Sequence, residues 1–210
     1  MKPLDCAESR DWLRERRLSF DAYGDGFSPV PKCPAAEGVE VEVGTCLPPL
    51  RLRALMRAVG LWGLATLEFP GGEVLHFPSC DTLIMIQDWD VDMNDHPAYV
   101  RAVQLLSHWH TGKNGDALPC GLSFTADEPL DIAVFSMIPL FALWDAYIVP
   151  AHGNFFLFTR DEEMHVVAAR MADISGVIAA LDSAEFEYNV RPISTRFLLN
   201  GTTKESETGK

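Results

Sequence analysis

The sequence predicts an α+β fold: one domain over residues 1–199, with antiparallel sheet and helices packed on one of its faces, then a flexible tail over 200–210. Three observations predict it. LWDAYIV, NFFLFTR and MHVVAAR are apolar over strand lengths and are joined by short turns, AHG and DEE. Other segments repeat apolar residues at helical spacing. The two kinds come in groups, without the strict strand–helix–strand alternation that builds a parallel sheet.

Taken in order, Asp5 and Glu8 have capping-box spacing ahead of Trp12 and Leu13, which predicts a first helix over 6–18. Residues 21–38 hold Gly24, Gly26, Pro29, Pro31, Pro34 and Gly38 and predict a long irregular connection. VEVEV at 39–43 alternates with strand period, its valines on one side and Glu40 and Glu42 on the other. Pro48 and Pro49 suit a first helical turn, and Leu52, Leu55, Met56 and Val59 form an apolar stripe that stops at Gly60. LWGLATLEF, Pro70-Gly71-Gly72 and EVLHF read as a β-hairpin, with DTLIMIQDW as a third strand of the same sheet. A further helix starts at Pro97 and ends at Gly112. LSFT at 122–125 is a short strand, Ile132 to Leu143 is buried core, and Asp173 caps a last helix running through Leu181.

Composition excludes several classes. A net charge of −13 disfavours nucleic acid and anionic membrane surfaces, because both are held by clusters of Lys and Arg. The longest apolar run contains Pro139 and falls short of the ~20 residues that span a bilayer. Residues 1–12 lack the apolar centre of a signal peptide, so a cytoplasmic location is expected. Cys6, Cys33, Cys46, Cys80 and Cys120 are an odd, widely spaced set, which fits reduced thiols with no assigned chemistry. GxSxG, HExxH, GxxxxGK[ST] and GxGxxG are all absent.

Charge is segregated along the chain. No Lys or Arg falls between Arg57 and Arg101, nor between Asn114 and Thr159, while Asp and Glu recur in both stretches. The first includes QDWDVDMNDHP at 87–97, where Asp88, Asp90, Asp92 and Asp95 surround Trp89, Val91 and Met93. Calcium is a poor fit: Asp88, Asp90, Asp92 and Asn94 match loop positions 1, 3, 5 and 7, but Met93 stands where glycine is needed and Tyr99 where a bidentate Glu is needed. A catalytic metal on Asp88, Asp90, Asp92 and His96 needs a sharp bend, since side chains on one face of a strand step by ~6.6 Å. On a continuing strand, Trp89, Val91 and Met93 pack inward and the three aspartates line the other face. Such a row steers basic partners; the plain alternative is a solvated turn whose charge favours the next helix's N-terminus.

Among single residues, Cys80 with His76 has no orienting third group, His152 in PAHGN reads as a turn residue, and His165 is expected to face outward between Met164 and Val166. Phe155 and Phe156 are adjacent and point to opposite faces, so that hairpin is covered on both sides or exposes an aromatic, and an exposed one would mark a dimer or partner surface. The reading that follows is a non-catalytic acidic binding protein with no cofactor and no metal. It engages a basic protein partner through Asp88, Trp89, Asp90, Asp92 and Asp95. Immunity and antitoxin proteins that neutralise a basic toxin enzyme are acidic, compact and free of catalytic motifs; this chain is similar to them in composition. The alternative is a metal-dependent hydrolase using Asp88, Asp90, Asp92 and His96.

Overall fold

A computed structural model describes residues 1–21, 28–45, 47–48, 51, 55, 64–69, 73–78, 80–87, 119–128, 131–132, 135–136, 139, 144–152, 154–160 and 162–199. Along the chain these form β1 (Lys2–Leu4), α1 (Cys6–Glu15), β2 (Phe20–Asp21), β3 (Val30–Pro31), β4 (Val39–Gly44), β5 (Leu64–Phe69), β6 (Glu73–Pro78), β7 (Thr82–Ile86), β8 (Gly121–Phe124), β9 (Ala146–Pro150), β10 (Phe155–Arg160), β11 (Glu163–Ala168), α2 (Met171–Ser183), β12 (Asn189–Pro192) and a 3₁₀ turn (Thr195–Phe197). The expected helices over 49–59 and 97–112 and the tail over 200–210 lie largely or wholly outside the described residues; of the first, Arg51 and Leu55 are helical.

Eight strands make one sheet in the order β1-β8-β7-β9-β10-β11-β4-β12, antiparallel at every pairing. The fold class is α+β. β5 and β6 pair as the hairpin expected, but β7 is not their third strand. It sits between β8 and β9 in the large sheet, because LIMI at 83–86 is apolar at every position and suits a strand buried on both faces; the hydroxyl of the buried Thr82 ahead of it donates to Cys80 O at 3.1 Å. Within the stretch expected to be irregular, β2 and β3 pair as a two-residue ribbon.

β7, β9 and β10 hide both faces, and alternate side chains feed two separate cores. Ile84, Ile148, Leu157 and Val166 point into one with Ile174, Val177 and Leu181 of α2. Leu83, Met85, Tyr147, Phe156 and Phe158 point into the other with Trp12 and Leu13 of α1 and Phe197 of the 3₁₀ turn. The two described helices therefore cover opposite faces, where the sequence predicted one covered face. Phe155 and Phe156 fall one in each core, so no aromatic of that hairpin is left exposed.

Each helix stops in a Schellman motif built without glycine. In α1, Leu18 N–H donates to Leu13 O and Arg17 N–H to Arg14 O, with Arg17 at φ 57°. In α2, Phe186 N–H donates to Leu181 O and Glu185 N–H to Asp182 O, with Glu185 at φ 56°. At the other ends, α1 has the predicted capping box of Asp5 and Glu8. Asp173 does not cap α2: Arg170 takes the cap position, and its guanidinium grips Asp173 through two hydrogen bonds of 2.8 and 3.0 Å.

Leu13 and Leu181 are fully buried on opposite sides of the sheet. Leu13→Ala and Leu181→Ala should each lower stability by about 3 kcal/mol. Because the sheet separates them, their losses should add within about 0.5 kcal/mol in the double variant, as urea unfolding will measure.

Candidate functional site

β4 is the last strand but one in the sheet, and its alternation has an unusual consequence. Val41 and Val43 enter the α2-side core, which turns Glu40 and Glu42 to the α1 side. There, at the next strand, stands His165. Both Glu40 and His165 are fully buried. Parity directs His165 away from its neighbours' core, as expected, but not to solvent: Phe158 and Phe197 enclose its ring at 5.8 Å each.

A buried carboxylate must be hydrogen-bonded to persist, and Glu40 is. His165 Nδ1 lies 2.7 Å from Glu40 Oε1. An ionised carboxylate only accepts, so Nδ1 carries the proton. Arg191 of β12 donates to the same oxygen at 2.8 Å, and Ser194 N–H to Oε2 at 3.1 Å. Burial pushes the Glu40 carboxyl up, but these three donors outweigh it and hold it at about 2, below the ordinary 4.5. Arg191 also reaches Glu42 at 2.6 Å. His165 Nε2 lies 3.2 Å from Glu163 Oε2, off the line of a hydrogen bond.

Glu42 and Glu163 also line a cleft of about 700 Å³. Its other walls come from Gly44 and Leu47, from Arg51 and Glu162, and from the chain leaving α2, Glu185 to Asn189. Five of these residues are glutamates: Glu42, Glu162, Glu163, Glu185 and Glu187. Arg51 is engaged elsewhere, donating to Ala184 O and Glu185 O at 3.2 and 3.0 Å and stacking 4.2 Å above Phe186. Among the described residues, Glu162, Glu185 and Glu187 have no side-chain cation partner. The cleft also opens at the C-terminal end of α2, where the helix dipole adds negative potential. Such a site draws cations.

Glu40, Glu42 and His165 are the group among the described residues with donor atoms close enough to share a metal ion, all within 4.8 Å. Arg191 already bridges both carboxylates, so the positive charge at this point is a guanidinium. Asp88, Trp89, Asp90, Asp92 and Asp95, with His96, lie outside the described residues. His152 is the turn residue expected; Asn154 N–H donates to its Nδ1 at 3.2 Å. The cleft escaped sequence reading because its carboxylates come from three separate segments. One signal was legible: Glu40 and Glu42 alternate with core valines, which marks a charged side chain beside a buried face.

Comparison with protein-family models, with curated proteins and with solved structures finds no match to this chain.

Two outcomes follow from this geometry. Since Glu40 has a lower pKa folded than unfolded, its contribution is complete above about pH 5 and is lost as pH falls toward 2, about 3 kcal/mol in all. Glu40→Gln should thus be less stable than wild type at pH 7, and the gap should close by pH 2 in denaturant titrations. Glu185, a non-glycine residue at φ 56°, pays for its left-handed backbone. Glu185→Gly should raise stability by about 1 kcal/mol in the same assay.

Proposed function

We propose that the protein is a non-catalytic acidic binding protein that engages a basic protein partner, in the manner of an immunity or antitoxin protein neutralising a toxin enzyme. The observation that carries this reading is the glutamate-lined cleft, whose exposed Glu162, Glu185 and Glu187 are left without cations of their own. A charged side chain without a partner is easily hydrated at a surface. It becomes strongly favourable when a partner's Arg or Lys enters and water is excluded. The net charge of −13 supports the same reading by speeding encounter with a basic partner. Asp88, Trp89, Asp90, Asp92 and Asp95, outside the described residues, are the further contact residues that the sequence offers for such a partner.

No described helix is long and apolar enough to cross a membrane. Cys6, Cys33, Cys80 and Cys120 are all free thiols, and a cytoplasmic setting goes with this reading. The competing hydrolase reading gains nothing from the cluster at Glu40, because Arg191 neutralises it.

The test is affinity capture from the native lysate with three baits checked for folding: wild type, Glu162/Glu185/Glu187→Gln, and Asp88/Asp90/Asp92→Asn. A basic protein should co-elute with wild type at low salt, dissociate as salt rises, and bind the glutamate variant at least about tenfold more weakly. Equal capture by wild type and both variants would remove the acidic surfaces from the function. Stoichiometric metal that leaves with the aspartates would favour the hydrolase.

A further inference from the structure

Two of the free cysteines, 114 positions apart in sequence, meet in the fold. β1 pairs with β8 so that Leu4 stands opposite Gly121. Continuing that register by one residue puts Cys120 opposite Asp5, next to Cys6. α1 starts at Cys6 and runs directly over the start of β8: a Cβ on Gly121 would lie 2.7 Å from Ser9 Oγ and 3.0 Å from Leu83 Cδ1. Cys6 and Ser9 are three apart on the helix and share a face, so Cys6 comes down beside Gly121's neighbour. Cys120 is, after burial, the neighbour that acts most on the Cys6 thiol, and the Cys120 thiol donates to Ser28 Oγ at 3.1 Å. Both cysteines are partly exposed, whereas Cys33 is buried.

We propose that Cys6 and Cys120 form a reversible disulfide that ties the start of α1 to the start of β8. Directly opposed antiparallel residues have Cα atoms about 4.5–5.5 Å apart and one step along the chain adds ~3.3 Å, which puts this diagonal pair at about 6 Å, inside the limit of roughly 7 Å that a disulfide tolerates. The oxidant is a small disulfide such as oxidised glutathione. Cys120 loses a proton and its thiolate attacks one glutathione sulfur, expelling glutathione thiolate and leaving a mixed disulfide. Cys6 then loses its proton and attacks the Cys120 sulfur, expelling the second glutathione. Two protein thiols are oxidised and one glutathione disulfide is reduced to two thiols.

The order of attack follows from the surroundings. Burial, and next the hydrogen bond and charge of Cys120, push the Cys6 thiol up to about 12 against the pull of Arg10. Cys6 is therefore a poor first nucleophile at neutral pH. Once Cys120 is in the mixed disulfide, its charge is gone and Cys6 ionises more readily. The bond would secure β1, a three-residue strand at the edge of the sheet that pairs only with β8.

The test equilibrates the full reduced chain with oxidised glutathione at pH 8, blocks remaining thiols by alkylation and maps the peptides by mass spectrometry. Expected are a linked peptide pair containing Cys6 and Cys120, loss of about two hydrogen masses from the intact chain, alkylated Cys33 and Cys80, and a melting temperature higher by at least about 5 °C that dithiothreitol reverses. In Cys6→Ser, Cys120 should stop as a glutathione adduct. The proposal is overturned if Cys6 and Cys120 of wild type end as separate adducts or stay free to alkylate, or if Cys6→Ser loses the same two thiols as wild type.

Discussion

Coverage of both faces is the constraint from which the rest of the architecture follows. The segments LIMI, AYIV and FFLF carry apolar side chains at successive positions, and in a strand successive positions point to opposite sides. Leaving either side to water would expose Leu83, Met85, Phe156 and Phe158, or else Ile84, Ile148 and Leu157. α1 and the 3₁₀ turn at Phe197 answer the first need, and α2 answers the second together with Leu55, Ile132 and Phe135. Gly121 shows how closely the first cover is fitted, since the absence of its side chain is what lets Ser9 settle on β8.

Toward its β12 edge the sheet can no longer be apolar on both sides, and the solution there is a charged cluster instead of a hydrophobic one. Glu40 joins β4, β11 and β12 through His165, Arg191 and the backbone of Ser194. A well-packed apolar core would often be as stable. What the ionic version adds is direction: it brings Arg191 over β4 and holds β12 in register beside a strand whose outer face would otherwise be bare. Removing one partner leaves the others buried and unsatisfied, so the cluster behaves as a unit.

Strand segments were legible wherever period and turn signals agreed. VEVEV, the β5–β6 hairpin and the run of three strands from β9 to β11 all lie where the alternation and turn residues predict them. The number of covered faces was legible too, in principle, because LIMI at 83–86 has no polar position to turn toward water, yet strand period alone does not say which element supplies the cover. His165 illustrates the same gap. Its parity was readable, but its burial depends on Phe197, thirty-two residues further on. Sites assembled from distant segments, such as the cleft and the thiol pair, leave no local pattern to read. Both Schellman caps were hidden for a different reason: Arg17 and Glu185 hold positions where glycine is the usual signal.

Glu185 links fold to function. A charged residue in a left-handed conformation costs stability that glycine would recover, and surface positions of that kind are free to change. Here the costly residue stands on the rim of a cleft already lined by four other glutamates, at the negative end of α2. Stability alone opposes this arrangement on two counts, backbone strain and repulsion between like charges. Arg51 relieves the helix end by binding its carbonyls, but it does so with the guanidinium committed to Ala184 and Glu185 and stacked on Phe186, which leaves the carboxylates of Glu162, Glu185 and Glu187 facing solvent. This concentration of negative charge, next to a cation held apart from it, is the feature on which the proposed engagement of a positively charged partner rests.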